Sequence, residues 1–357
     1  MTYFADVPIP GIASNVPSYD MDNLQVLKGP QGTLFGRNTL GGAVVLTPAS
    51  PTSDYEGYID FRAGNLGRES VEGALNIPLI EDKLLLRVAG QAETGDGYVK
   101  NLSGGPDLSN TREGSYRVSL LARPTDYIKD TFIYDYTIIP ERAQGDYLYK
   151  ANPGVFGALF APSFGPALGQ AIGNNLDSQI ANYLALQKAA GPEAGFTDLA
   201  NGGIAFSREQ GISNDLRVDL PDNIQVRNIL GLREIYNNEE IDTGAVPTLT
   251  IPLGGGLPFT LFDAGQTQQQ EYLTDEMQVS GKSWNNRLTW VTGFFYNNDW
   301  SSGPSGSQFS AFSVGGVPSP AVTALVSEHN YAVYGQTGLD LSDWLLKGMT
   351  LQPRLPL

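Results

Sequence analysis

The chain of 357 residues contains no cysteine and a single histidine. Without cysteine it forms neither a disulfide framework nor a thiolate metal site, although this absence fits an oxidising bacterial envelope as well as a cytosol. The single histidine, His329, excludes a histidine cluster for a metal and leaves at most one imidazole for a Ser-His arrangement. We therefore predict that the protein is not an enzyme and that it holds neither a metal ion nor a cofactor.

Basic residues and long apolar segments are also scarce. The 22 lysines and arginines stand against 38 acidic residues, which gives a formal net charge of −16. This balance argues against a nucleic acid or an anionic lipid surface as the main partner. No run of about eighteen apolar residues exists, so no transmembrane helix is predicted, but alternating strands can still cross a membrane. The start, MTYFADVPIPG, lacks the basic and apolar regions of a signal peptide.

The most distinctive segment is Leu24–Pro48, LQVLKGPQGTLFGRNTLGGAVVLTP, in which two short apolar strands flank a glycine-rich connection. A phosphate-binding loop does not fit, because its pattern requires Lys-Ser/Thr after a glycine at a fixed spacing. Glycine-rich backbone instead predicts tight turns or close approach of another backbone. We predict a positive φ, or a contact too close for a Cβ, at one or more of four glycines: Gly29, Gly32, Gly36 and Gly42.

From Tyr55 onward, apolar and polar residues alternate with the period of two that is typical of strands. This alternation predicts about eleven strands, at residues 56–64, 69–78, 83–93, 112–123, 127–139, 211–220, 223–236, 270–281, 286–299, 327–341 and from about 345. Alternation alone does not decide between a soluble β-sandwich and a sheet that faces lipid.

The connections between these strands alternate between short turns and long loops. The long loops are predicted at Thr94–Thr111, Pro140–Gln210, Asn237–Gln269 and Trp300–Val326. After a first short hairpin at Asn65-Leu66-Gly67, all of the long loops fall on one rim of the sheet and the short turns fall on the other, which is typical of outer-membrane barrels. Within the longest loop, apolar residues four apart predict a helix over Ala167–Ala190 that packs on the loop or the rim.

The polar residues of the alternating pattern are predicted to face inward, where they line a lumen or contact an N-terminal plug. They are Arg62, Glu72, Arg87, Glu93, Arg117, Arg123, Asp135, Arg217, Arg227, Arg233, Glu276, Gln278 and Arg287.

The segment VLKGPQGTLFGRNTLGGAVVLTP resembles the end of the plug domain of TonB-dependent outer-membrane receptors. The resemblance continues through YEGYIDFRAGN, VEGALNIPL, LLRVAGQAETGDGYVKN and NYAVYGQTGLDLSD. It implies an all-β fold, with a C-terminal plug segment at residues 1–50 and a partial transmembrane antiparallel β-barrel of about eleven strands at residues 51–357. The residues that carry the plug motif are Lys28, Gly29, Pro30, Gln31, Gly32, Gly36, Arg37, Asn38, Gly41 and Gly42.

The resemblance also implies a function and a location. Such a protein is a receptor in the outer membrane of a Gram-negative bacterium, and it imports a scarce nutrient such as a ferric siderophore. Its partners are outer-membrane lipid, the small-molecule nutrient and the energising TonB protein, whose contact box lies outside this sequence. Which nutrient it carries stays open, and ferric siderophores, cobalamin and glycans are all candidates.

Three other functions compete with this interpretation. A passive porin-like barrel lacks an N-terminal plug, so Leu24–Pro48 speaks against it. A soluble β-rich envelope binding protein has no reason to sort its loops by rim. An outer-membrane hydrolase is weakened by the single histidine.

The number of predicted strands has a consequence of its own, because plugged transporters close their barrels with 22 strands. Eleven strands should form an open, curved sheet with unpaired edges and with residues 1–50 against the concave face. We therefore interpret residue 1 as an internal position of a longer receptor, and we expect these residues alone not to transport.

Overall fold

The computed structural model describes residues 1–11, 18–29, 41–199, 202–303, 305–314, 320–340 and 350–351. Two β-sheets, a two-residue ladder and two helices make up this part of the chain. None of the described helices combines the length and the apolar character needed to cross a membrane.

The N-terminal residues form a four-stranded sheet in the order β2-β1-β4-β3. Its strands are β1 (Thr2–Phe4), β2 (Val7–Ile9), β3 (Met21–Lys28) and β4 (Gly42–Pro48). The two apolar strands predicted around the glycine-rich segment are β3 and β4, which pair antiparallel. The hairpin of β1 and β2 was not predicted, because strands of three residues are too short to show alternation. Its turn residues Ala5 and Asp6 have φ of 49° and 64°.

The remaining strands follow in chain order. They are β5 (Glu56–Ala63), β6 (Glu69–Ile80), β7 (Leu84–Gly95), β8 (Lys100–Asn101), β9 (Thr111–Thr125), β10 (Ile128–Glu141), β11 (Ala194–Gly195), β12 (Ile204–Leu220), β13 (Ile224–Asp242), β14 (Leu249–Ile251), β15 (Leu257–Ser283), β16 (Leu288–Ser301), β17 (Ser305–Val314), β18 (Pro320–Ala324), β19 (Ser327–Asp340) and β20 (Thr350–Leu351). The helices are α1 (Val155–Phe164) and α2 (Pro166–Ala190).

Eleven of these strands pair antiparallel in one continuous path, β20-β19-β16-β15-β13-β12-β10-β9-β7-β6-β5. The path confirms the predicted count. Where a short turn joins two strands of the path they must pair antiparallel, because parallel strands need a long crossover connection. Within the described residues β5 and β20 do not pair with each other, so the sheet is open. Strands β14 and β17 add to the far part of β15, and β18 adds to β17.

Strand boundaries agree with the prediction at the short turns and differ at the long loops. Strand β12 begins at Ile204, β13 continues to Asp242, and β15 begins at Leu257. Asp242 and Asp263 are register partners at the end of the β13–β15 ladder. The predicted loops Pro140–Gln210 and Asn237–Gln269 are therefore too long, because the strands continue past the alternating segments.

The two faces of the large sheet differ in polarity. We call the face that contacts residues 1–11 and 18–29 the inner face and the opposite one the outer face. Because neighbouring side chains point to opposite faces, each strand contributes to both. Large apolar side chains are exposed on the outer face: Ile59, Phe61, Leu75, Val88, Tyr116, Phe132, Leu230, Leu232, Met277, Phe294, Tyr331 and Val333.

A separate cap, formed by α1, α2, β14 and the start of β15, stands on the rim of the large sheet that carries the long loops. Ile172, Leu176 and Ile180 of α2 are buried, which confirms the predicted helix and its packing stripe. They belong to one apolar cluster with α1, β14 and the start of β15. Helix α1 was not predicted, since Pro162 and Gly157 lie inside it.

Candidate functional site

The predicted motif residues lie at the connection between β3 and β4. Lys28 ends β3, and Gly42 begins β4. Gly29 and Gly41 lie beside them in open space, since a Cβ added at either position would meet no atom within 4 Å. Six motif residues lie outside the described part of the chain: Pro30, Gln31, Gly32, Gly36, Arg37 and Asn38. The functional role of the motif stays a prediction.

The predicted backbone conformation is confirmed at two of the glycines. Gly29 has φ of 82° and Gly42 has φ of 129°. A Cβ on Gly42 would lie 2.3 Å from the carbonyl oxygen of Leu27, on the opposite strand. Only glycine combines a positive φ with so close an approach of two backbones.

The first anchor between the N-terminal segment and the inner face is formed by Tyr19 and Asp20. Arg87 Nε donates to Asp20 Oδ2 at 2.9 Å, and both side chains are buried. Arg117 donates to the backbone carbonyls of Tyr19 and Asp20 at 3.3 and 3.2 Å. Its guanidinium also lies over the rings of Phe4 and Tyr19, at 5.0 and 4.6 Å. Arg117 is almost completely buried, and the carbonyls and ring faces replace its hydration.

The second anchor holds the β1–β2 hairpin. Arg227 pairs with Asp6 at the turn of the hairpin and with Asp215 on the neighbouring strand. Beside it, Arg233 and Asp135 form a buried bidentate pair, with distances of 2.9 and 3.0 Å. The charges of Arg227 and Arg233 are thus paired with carboxylates, which removes most of the penalty of burying them.

Eight of the thirteen residues predicted to face inward show two different situations. Those that face the N-terminal segment or pair on the covered inner face are Glu72, Arg87, Arg117, Asp135, Arg227, Arg233 and Glu276. Arg62, by contrast, is 69% exposed and pairs with Asp60 of its own strand. The sequence did not predict the N-terminal residues that contact these arginines, which are Asp6, Tyr19 and Asp20. The partners lie 67 to 221 residues apart in the chain, and no local pattern indicates a contact over such a separation.

Burial also changes the acidity of Tyr19 in the first anchor. Removal from water raises the pKa of its phenol, and the neighbouring Arg117 partly lowers it. Because burial dominates, Tyr19 stays neutral and contributes an aromatic ring rather than a charge.

At the base of the cap, three carboxylates come together on Asp198, Asp242 and Asp263. Their oxygens lie within 4.8 Å of one another. Burial, together with the charge of Asp198, raises the pKa of both Asp242 and Asp263 to about 7. Three oxygen ligands at this spacing suit a divalent cation, but protonation accommodates the same crowding, so the cluster alone does not identify a metal site.

Two cavities on the inner side lead from the loop rim. One of about 300 Å³ is lined mainly by carboxylates and amides: Glu113, Glu141, Asn237, Glu239, Gln266 and Gln268. The other, of about 610 Å³, separates Pro10 and Gly11 from the wall residues Tyr272, Phe295, Asp299, Glu328 and Asn330. Polar walls of this kind suit a hydrated solute that enters from the rim.

No family model matches the chain. The pesticin receptors of Yersinia enterocolitica and Yersinia pestis are 32% identical to it over 111 residues. This aligned part makes up 30% of the chain and 16% of each receptor, so the chain covers far less than two thirds of these relatives.

Solved receptors match the chain along almost its whole length. The ferric yersiniabactin uptake receptor FyuA from Yersinia pestis has a TM-score of 0.53 and 16% identity, over 96% of this chain and 53% of the receptor. FpvA of P. aeruginosa, solved with bound pyoverdines, has a TM-score of 0.62 and 13% identity, over 96% of this chain and 43% of the receptor.

The siderophore receptor PiuA from Acinetobacter baumannii has a TM-score of 0.59 and 13% identity, over 95% of this chain and 46% of the receptor. At such identities the likeness concerns the fold. The resemblance seen in the sequence is thereby confirmed: the chain has the plug-and-barrel fold of TonB-dependent outer-membrane receptors, and it spans about half the length of the solved receptors that it matches.

Proposed function

We propose that this chain is part of an outer-membrane receptor that imports a scarce nutrient, such as a ferric siderophore, with energy from TonB. The observation that carries the proposal is the N-terminal sheet held on the inner face of the antiparallel sheet by buried arginine pairs. A passive porin has no reason to cover its inner face in this way. The receptors with the same fold are transport proteins rather than enzymes.

The proposal includes the division into a plug segment at residues 1–50 and a barrel segment at residues 51–357. Within the described residues the four strands β1 to β4 pair with one another and with no other strand, and the large sheet begins at β5. The apolar outer face is the surface that we assign to outer-membrane lipid, since alternating strands cross a bilayer with one apolar face. We assign the plug motif, which runs from Lys28 to Gly42, to the connection between β3 and β4 of the plug segment.

The test uses the complete gene product that contains this chain, in a Gram-negative strain deprived of its own siderophore receptors. Cells are supplied with radioactive iron bound to yersiniabactin or to pyoverdine, and uptake is followed with and without TonB. We expect uptake of at least one complex that disappears without TonB. Uptake that persists without TonB would identify a passive channel, and no binding or uptake of any siderophore, cobalamin or glycan probe would refute the proposal.

A further inference from the structure

One row of residues on the inner face carries no charge. It crosses five neighbouring strands in direct register, through Ser213, Gly231, Thr274, Asn297 and Asn330. The rows on either side do carry charges, with Arg233, Asp299 and Glu328 towards the loops and Asp215 and Glu276 towards the turns. With strands about 4.8 Å apart, the uncharged row is about 19 Å long.

Three side chains of this row are buried without a hydrogen-bonding partner. Ser213 is 3% exposed, Thr274 is 2% exposed and Asn297 is 0% exposed. The two hydroxyl groups and both polar atoms of the Asn297 amide find no partner among the described protein atoms. Buried polar groups are almost always satisfied, so three unpartnered ones in one row indicate groups that bind something else.

Over Ser213, Gly231 and Thr274 the cover is apolar and comes from the β1–β2 hairpin. A Cβ on Gly231 would lie 2.3 Å from Val7 Cγ1 and 2.7 Å from Thr274 Oγ1, so Val7 lies directly over the row. Phe4 and Ile9 pack on Ile133, which is the register partner of Ser213. A valine side chain offers no hydrogen bond to the polar groups beneath it.

The hairpin shares one contact with the anchor at Tyr19 and Asp20, since the guanidinium of Arg117 lies over the ring of Phe4 as well as over that of Tyr19. It pairs with the rest of the N-terminal sheet through three residue pairs between β1 and β4. To the wall it is held by the ion pair of Asp6 with Arg227, by apolar contacts, and by the ring of Phe4 beneath the guanidinium groups of Arg117 and Arg233. Departure of the hairpin breaks these contacts, whereas the hydrogen bonds of Arg87 to Asp20 and of Arg117 to the carbonyls of Tyr19 and Asp20 involve no hairpin residue and can keep the remainder of the segment in place.

We propose that this row is a binding track for a neutral, hydrogen-bonding solute, which the β1–β2 hairpin covers here and uncovers when it leaves the wall. The inference rests on the proposed transport function and specifies which part of the wall the solute contacts. Hydroxyl and amide groups supply both donors and acceptors without attracting a particular charge. Asn330 at one end of the row lines the cavity of about 610 Å³, which gives the solute a route from the rim.

The first experiment measures whether the row becomes accessible, and it needs no knowledge of the solute. Ser213→Cys and Thr274→Cys each introduce one thiol into a chain that contains no cysteine, and any cysteine elsewhere in the complete protein is first replaced by serine. A membrane-impermeant thiol reagent is applied to the complete protein in detergent. The control is Ala89→Cys, a site that is also buried on the inner face but lies against Tyr19.

We expect both row thiols to react at least about tenfold faster than the control, because opening of the hairpin costs less than release of the Tyr19 anchor. Equal protection of all three thiols would overturn the proposal. Two row positions are used so that one poorly folded variant does not decide the result.

The second experiment ties the hairpin to the wall. In Val7→Cys/Gly231→Cys, the two Cβ atoms are close enough for a disulfide. The matched control, Val26→Cys/Val44→Cys, links register partners inside the N-terminal sheet. Uptake and surface binding of the radioactive siderophore that the wild type transports are measured before and after reduction.

We expect the tied hairpin to abolish uptake but not surface binding, with recovery after reduction, while the control keeps transporting. In Asn297→Leu, which is similar in size but apolar, we expect the maximal uptake rate to fall several-fold with binding unchanged. Normal uptake by the tied hairpin, or by Asn297→Leu, would overturn the binding track. Absence of uptake by the wild type would instead refute the transport function, and the thiol experiment would still decide whether the row opens.

Discussion

Gly42 begins β4 with φ of 129°, and a Cβ there would lie 2.3 Å from the carbonyl oxygen of Leu27. We expect Gly42→Val to lower the stability of the N-terminal sheet by more than about 1 kcal/mol, since a β-branched residue is strained at positive φ. Denaturant unfolding of the complete protein measures the loss. The neighbouring Gly41→Val is the control, because its Cβ would meet no atom within 4 Å. Equal effects at both positions would contradict the explanation.

Arg87 pairs with Asp20 in a buried environment, whereas Arg62 pairs with Asp60 in solvent. Removing one partner of a buried pair leaves an uncompensated charge, so Arg87→Met should destabilise the attachment of the N-terminal segment by about 3 kcal/mol. Hydrogen exchange of residues 18–28 measures this attachment. Arg62→Met should leave exchange unchanged, and a comparable effect of both variants would exclude Asp20 as an anchor.

Asp242 and Asp263 give the cap a dependence on pH. Burial and the charge of Asp198 raise both pKa values to about 7 from the ordinary value of 3.8. Between these values the folded state binds protons that the unfolded chain has lost, so stability falls as the pH rises from about 4 to about 7. Above about pH 7 both states have lost these protons, and the stability of the cap no longer changes with pH through this cluster.

We therefore expect hydrogen exchange in α2, corrected for its intrinsic pH dependence, to be faster at pH 8 than at pH 5. Asp263→Asn removes one carboxylate and should reduce this difference, whereas Glu193→Gln, at an exposed position, should not. An unchanged pH dependence in Asp263→Asn would show that the cluster does not control the cap.

At the scale of elements, the cap depends on the buried stripe of α2. Leu176 is 0% exposed within the cap cluster, and Leu186 on the same helix is 50% exposed. Leu176→Ala should destabilise the cap by about 2–5 kcal/mol because it leaves a cavity. Limited proteolysis of residues 142–203 measures the effect, and Leu186→Ala is the matched control. Loss of the large sheet in Leu176→Ala would mean that the cap is not an independent unit.

The parts of the strands near the short turns could be predicted from the sequence. The parts that continue towards the long loops could not. Strand β5 at Glu56–Ala63 lies within one residue of its prediction, because alternation and a nearby turn are both local signals. The first part of β15, from Leu257, carries no regular alternation. It is a strand because β13, β14 and β17 pair with it, and such pairings are not visible in a local pattern.

The candidate site divides in the same way. Alternation was sufficient to place Arg87, Arg117 and Arg233 on the inner face, because a strand has only two faces. It could not find Asp20 or the Val7 cover, since these contacts depend on how two separate sheets meet. The unpartnered state of Asn297 is likewise a property of its three-dimensional surroundings.

At the scale of the whole molecule, the sorted connections predict an orientation. In the complete gene product on intact cells, epitope tags inserted at Asn174 in α2 and at Gly255 before β15 should bind external antibodies. A tag at Pro221, in the short turn between β12 and β13, should be detected only after the cells are made permeable. Equal detection of all three tags on intact cells would contradict the assigned orientation.

Strand β15 contains 27 residues, which at about 3.4 Å per residue is roughly 90 Å of strand, against a hydrocarbon layer of about 30 Å. Much of it therefore stands above the lipid, where β17 covers part of its length and the cap supplies a separate apolar core. We expect substitutions in this outer part to leave the packing of the lower ladder undisturbed, because the cap has its own apolar core. The sequence of the exposed rim can then diverge between related proteins faster than the sequence of the ladder beneath it.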